Sequence, residues 1–313
     1  MHENIIDVII YLIFGLLVGS FLNVVIYRLP QMMYRSWLHE AGSNISGTTA
    51  DEKTLWSLTF GSRTAAPENM EAVGQHIMQA VEDLPRFNLM VPSSRCQSCG
   101  HKIRWLENIP IFSWIFLRGR CSGCHASISW RYPAIELATG LLFAWCGWQW
   151  GLTASGVAWA AFSAFLIAMT MIDWDTTLLP DDLTLPLVWG GLLASLLHLT
   201  AVPLSHSVIG AMAGYLFLWS IYWAFRLLTG KEGMGYGDFK LFAALGAWFG
   251  WNALIPIILM ASVIGALAGI GMKFCNILRE GHYVPFGPFL ALAGLTAMIF
   301  SPASILRAIG LGA

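Results

Sequence analysis

The sequence predicts an all-α polytopic membrane protein with about eight transmembrane helices and one cysteine-bearing cytoplasmic loop domain between the first and second. Three observations carry this. Of 313 residues, 57% are hydrophobic and only 11% charged, against about 25% charged in a soluble domain. Apolar runs near the roughly 20 residues of a spanning helix recur along most of the chain. A single long polar stretch, about 28–133, interrupts them. The net charge of −1 says nothing about a nucleic-acid partner, and with no basic tail that class is set aside.

The first apolar run covers 8–27. It is longer than a signal-peptide core of about 7–15 residues and lacks a small-x-small cleavage site, so it reads as a retained first helix. Within it, Gly15 and Gly19 form a small-xxx-small face suited to helix packing. The later runs are 134–151, 154–173, 183–201, 207–228, 238–252, 253–274 and 286–305. The sixth is short, and Gly250-Trp251-Asn252 divides it only weakly from the seventh. Residues 36–84 are polar and read as partly flexible.

Orientation follows from Lys and Arg, which concentrate on the cytoplasmic side. Eleven of the 17 lie in 28–133, and Arg28, Arg118, Arg120 and Arg131 stand close to helix ends. With eight spans, loops 174–182, 229–237 and 275–285 share that face; the last two carry Lys231 and Arg279. The opposite loops near 152, 202–206 and 250–252 carry none. Three segments then fall at cytoplasmic helix ends: Asp173-Trp174-Asp175, Gly235-Tyr236-Gly237-Asp238 and Pro285-Phe286-Gly287-Pro288.

Cys96-Gln97-Ser98-Cys99 is followed after 21 residues by Cys121-Ser122-Gly123-Cys124. Each pair can hold two thiolates on one turn, with Gly100 and Gly123 easing the bend. Four thiolates suit tetrahedral Zn²⁺, and with no open ligand position that zinc is structural. Two disulfides or plain thiols are the alternative, and a cytoplasmic location disfavours the disulfides. A small segment with little core gains most from a metal.

Ionisable groups at membrane depth are costly and mark function. Asp173 and Asp175 end the third span, and Asp238 opens the sixth after two glycines. Two carboxylates held together can share one proton, one acting as base on a water and the other donating to a carbonyl. Asp181 and Asp182 read as N-caps of the next helix. There is no His-Glu-x-x-His motif.

These residues resemble the bacterial type IV prepilin peptidases, polytopic aspartyl proteases of the Gly-x-Gly-Asp class. The resemblance covers nearly the whole chain. It rests on Gly19-Ser20-Phe21-Leu22-Asn23, the double Cys-x-x-Cys, Ile128-Ser129-Trp130-Arg131-Tyr132-Pro133, Leu179-Pro180-Asp181, Gly235-Tyr236-Gly237-Asp238 and Pro285-Phe286-Gly287-Pro288. It implies a catalytic pair at Asp173 and Asp238, with Asp175 as the competing choice for the first, and an active-site loop built on Gly235, Gly237, Pro285 and Gly287. It implies cleavage after a Gly, between a short basic leader and an apolar helix, in prepilins and type II secretion pseudopilins. N-methylation of the new terminus from S-adenosylmethionine follows in many members. The location implied is the bacterial inner membrane, with lipid as surroundings and the catalytic face cytoplasmic. The polar insert between Pro30 and Cys96 is longer than the family's usual one.

The domains are therefore expected at 1–30 (first membrane helix), 31–133 (cytoplasmic zinc-binding domain) and 134–313 (membrane catalytic domain). Two rivals stand beside this reading. A proton-coupled transporter could use the same aspartates as a relay, although transporters favour midplane sites and internal repeats. An assembly module could use zinc to dock partners.

Overall fold

The computed structural model describes residues 2–47, 54–61, 63–275 and 284–308. Their regular structure is helical: α1 His2–Ser46, α2 Leu55–Phe60, α3 Met70–Glu82, α4 Phe112–Phe116, α5 Arg131–Trp150, α6 Ala154–Thr176, α7 Asp181–Leu196, α8 Leu204–Thr229, α9 Tyr236–Phe249, α10 Leu254–Phe274, α11 Gly287–Phe300 and α12 Pro302–Ala308. The first seven apolar runs each fall mainly on one helix, beginning with α1 and resuming at α5, and the eighth is divided between α11 and α12. Among the described residues, four stretches are long and apolar enough to cross a membrane: Ile5–Ser46, Ala154–Thr176, Leu204–Thr229 and Trp251–Phe274. Most of loop 275–285, including Arg279, lies outside the described residues.

Two boundaries differ most from the sequence reading, and α7 also ends early, at Leu196 and not near residue 201. α1 does not stop near residue 27 but continues through Pro30 to Ser46. The last run is not one helix. Ser301 turns it at φ 63, and Pro302 starts α12, because proline cannot continue the hydrogen-bond ladder. The weak division at 250–252 is a true break, with Gly250 at φ 78 and a short 3-10 turn over Trp251–Ala253.

The chain forms two compact units, Met1–Ile26 with Arg104–Ala313, and Tyr27–Ile103. In the larger unit α9 is the central helix, buried from Asp238 to Trp248 except at Lys240. Its 14 residues span about 21 Å at 1.5 Å each, less than the roughly 30 Å hydrocarbon core. It reaches its depth by being wrapped in α7, α8, α10 and α11. Small residues make that wrapping close. Gly210 of α8 and Gly246 of α9 each lie against the other's carbonyl, so neither has room for a Cβ. Ser207 donates to the Ala247 carbonyl at 2.6 Å, and the Trp248 indole to the Leu187 carbonyl at 2.9 Å.

The α1 glycines do the same work against α5. A Cβ at Gly19 would lie 2.7 Å from the Glu136 Cα, and one at Gly15 would lie 2.9 Å from the Gly140 Cα. Asn23 donates to the Tyr132 carbonyl at 3.2 Å.

In the smaller unit, residues of α1 beyond Tyr27 are held by their own neighbours. The Arg28 guanidinium donates to the Asn88 and Pro92 carbonyls at 2.8 and 2.6 Å, and Arg35 lies over the Phe87 ring at 4.7 Å. Gly42 meets the Gly74 carbonyl of α3, where a Cβ would lie 2.9 Å away. These contacts explain why the helix persists past its apolar run. The stretch 36–84, read as partly flexible, is helical over α1's tail, α2 and α3, with 48–53 and 62 outside the described residues.

Candidate active site and cysteine cluster

Asp173 lies in the last turn of α6 and Asp238 in the first turn of α9. Both are buried, at 5% and 4% exposure. Thr177 ends α6 in the left-handed conformation and returns its N–H to the Asp173 carbonyl at 2.8 Å. That cap fixes the turn carrying Asp173. The two carboxylates are near enough to interact electrostatically, and the Gly287 and Gly235 backbone N–H groups face Asp173 and Asp238 respectively. Asp173 Oδ2 and Asp238 Oδ1 are buried without a hydrogen-bond partner among the described residues. A buried polar atom left bare calls for an explanation; the Tyr11, Thr184 and Thr200 hydroxyls share that state, but only the two aspartates are carboxylates.

The third segment closes on the same point. A Cβ at Gly287 would lie 2.5 Å from Asp173 Oδ2 and 3.0 Å from Leu179 Cδ1. A Cβ at Gly237 would lie 2.5 Å from Leu179 Cβ. Pro285 is buried just before α11. The ends of α6, α9 and α11 therefore meet, with Leu179 between them. Gly235 differs from its neighbour: a Cβ there would stand 3.7 Å from Asp238 Oδ2, an ordinary contact.

Asp175 points elsewhere. Both its oxygens take the Arg131 guanidinium, at 2.8 and 2.6 Å, in a bidentate pair about a third exposed. Arg131 also reaches the Met171 carbonyl at 3.4 Å, so one residue of α5 grips the end of α6. The sequence offers no sign of this pairing across 44 positions. Lys240 pairs with Asp181 at 2.5 Å rather than with Asp238. Asp181 and Asp182 are first-turn residues of α7, whose N-cap is Pro180, so the capping expectation is corrected: the acids meet the helix dipole from inside the first turn. Glu136 is buried and accepts the Ile111 N–H at 2.7 Å.

The four cysteines Cys96, Cys99, Cys121 and Cys124 gather as one group, with their sulfurs all within 4.8 Å of one another. Around a zinc with Zn–S of about 2.3 Å, tetrahedral sulfurs stand about 3.8 Å apart, so the set fits such an ion. Two separate disulfide pairs would not require a cluster of four. The two loops share one design. Cys96 N–H bonds the His101 carbonyl and Gly100 N–H the Cys96 carbonyl, both at 2.9 Å. Cys121 N–H bonds the Ala126 carbonyl and His125 N–H the Cys121 carbonyl, again at 2.9 Å. The residue following each second cysteine is left-handed, at φ 72 for Gly100 and φ 57 for His125. The bend thus falls on His125 and not on Gly123.

Residues 13–150 match the model of the bacterial Peptidase A24 N-terminal domain, and residues 160–270 match that of the type IV leader peptidase family. The chain belongs to the type IV leader peptidase family. Relatives include the prepilin leader peptidase/N-methyltransferase of Aeromonas salmonicida strain A449, 49% identical over 293 residues, covering 92% of this chain and 89% of the relative. The protein of the same description from Pseudomonas aeruginosa is 44% identical over 289 residues, with the same coverages. No solved structure matches this chain. The cysteine cluster lies in the N-terminal match of this leader peptidase and both buried aspartates in the second, while Gly287 lies beyond it.

Proposed function

We propose that this leader peptidase family member removes the basic leader of type IV prepilins and type II secretion pseudopilins, and then methylates the new N-terminus. The observation that carries the peptidase reading is the convergence of two buried carboxylates, each with a bare oxygen, at the meeting of three helix ends. Asp173 and Asp238 share one proton. The ionised member takes a proton from a water, whose oxygen attacks the scissile carbonyl. The protonated member donates to the carbonyl oxygen. Collapse of the tetrahedral species breaks the C–N bond, and the departing amine takes the proton acquired from the water. Gly287 and Gly237 let the helix ends close on Asp173 and Leu179, as only glycine does, and so hold the carboxylates in place. Engagement of Asp175 by Arg131 favours Asp173 as the partner of Asp238.

The setting is the bacterial inner membrane, with eight spans and the dyad at the cytoplasmic face. The arginine and lysine distribution supports that face. A zinc ion held by Cys96, Cys99, Cys121 and Cys124 ties their two loops together and has no open position for chemistry. S-adenosylmethionine supplies the methyl group. The aspartates also suit a proton relay, but nothing in the family match favours a transporter.

The test is mass spectrometry of a model prepilin incubated with the purified chain in liposomes. Leader removal followed, with S-adenosylmethionine present, by gain of one methyl on the new terminus is the expected result. An intact prepilin would sink the proposal; cleavage without methylation would remove its second half.

A further inference from the structure

The larger unit carries an apolar groove of about 290 Å³ between α5, α6 and α11. Ala134 and Ala138 line it from α5, Ile167 and Thr170 from α6, and Leu292 and Leu295 from α11. Trp130 and Arg131 stand at one end. The groove and the aspartate site share two helices, α6 and α11, although neither aspartate lines the groove. Thr170 is one turn before Asp173 on α6, so the two are neighbours on that helix. Leu292 and Leu295 lie one and two turns into α11, which begins at Gly287 against the Asp173 carboxylate. Both walls run from the carboxylates into the membrane-spanning part of the fold.

We propose that this groove seats the apolar helix of the substrate that follows the cleaved bond. The proposal rests on the peptidase reading above. A helix with its side chains is about 10–12 Å across, so the groove takes one ridge of side chains and not the whole helix. In lipid, apolar surface alone does not draw helices together; close packing on small residues does. Ala134 and Ala138 supply that floor, and Leu292, 46% exposed, supplies a flank. A helix lying here enters the bilayer beside α6 and presents its interfacial end at the depth of Asp173 and Asp238. Trp130, 73% exposed, marks that end as an aromatic anchor at the headgroup level. Annular lipid is the competing occupant.

The test places a photo-reactive benzoylphenylalanine at Leu292 and irradiates the full chain in liposomes with a model prepilin. In the same preparation, unlabelled enzyme is assayed for cleavage. The expected result is a crosslink within the prepilin's apolar helix. Crosslinks to lipid alone, while unlabelled enzyme cleaves normally, would overturn the groove and leave the peptidase reading standing. A crosslink to prepilin without any cleavage by unlabelled enzyme would sink the peptidase reading instead. As a second measurement, Ala138→Trp fills the groove and raises KM for prepilin about tenfold with little change in kcat, as expected for lost ground-state binding. Leu216→Trp, on exposed α8 surface, changes neither. An unchanged KM for Ala138→Trp would also overturn the groove.

Discussion

Gly287 stands so close to Asp173 that a methyl group in place of its hydrogen would lie 2.5 Å from the carboxylate oxygen. The first turn of α11 is thus fitted to the last turn of α6, and only a residue without a Cβ permits it. Gly287→Ala must push Asp173 aside or tilt α11. We expect cleavage to fall by about two orders of magnitude, the usual cost of misplacing a reacting group by about 1 Å. Rates on a model prepilin, with helicity checked by circular dichroism, decide this. A near-normal rate would mean that Asp173 does not need this fit.

The two glycines before Asp238 differ. At Gly237 a Cβ would meet the Leu179 Cβ at 2.5 Å, whereas at Gly235 the nearest atom is 3.7 Å away. Gly237→Ala should therefore cost far more activity than Gly235→Ala, which should stay within about tenfold of wild type. Equal losses at the two positions would show that backbone freedom, not space, is what this loop requires.

The Arg131–Asp175 pair predicts a structural and not a chemical role. About a third exposed, it contributes on the order of 1 kcal/mol. Asp175→Asn should retain cleavage within about tenfold of wild type and lower thermal stability slightly. Arg131→Ala should do the same. Abolished cleavage in Asp175→Asn, with normal cleavage in Asp173→Asn, would move one catalytic role by two residues.

If four cysteines hold one zinc, the purified chain carries about one zinc per protein by elemental analysis, and Cys121→Ser loses it. Protease cutting within 90–130 should then increase. Full zinc retention by that variant would remove Cys121 from the ligand set.

Much of this was legible in the sequence because an apolar setting makes each segment pair its backbone groups internally, which favours apolar helices. Runs 134–151 through 253–274 therefore appear as helices with nearly the expected ends. Span count and charge pattern together raised the expectation that Asp173, Asp238 and Gly287 share one face, and Gly287 does lie against Asp173. What stayed hidden depends on partners distant in sequence. Nothing in residues 31–46 announces that α1 continues, since its support comes from Gly74 and Phe87. Asp175 stood in the sequence as the second choice to Asp173, and nothing there announces the Arg131 that engages it. His125 takes the left-handed position that glycine usually fills, so composition pointed to Gly123 instead.

The dyad itself is tested most directly by cleavage of a model prepilin in liposomes by wild type, Asp173→Asn and Asp238→Asn, with zinc content and helicity measured on each. A pair sharing one proton also predicts a bell-shaped pH profile for the wild type, because activity needs one protonated and one ionised carboxylate. The account predicts that both substitutions abolish cleavage while zinc and fold are retained. Normal cleavage by folded Asp238→Asn would contradict it.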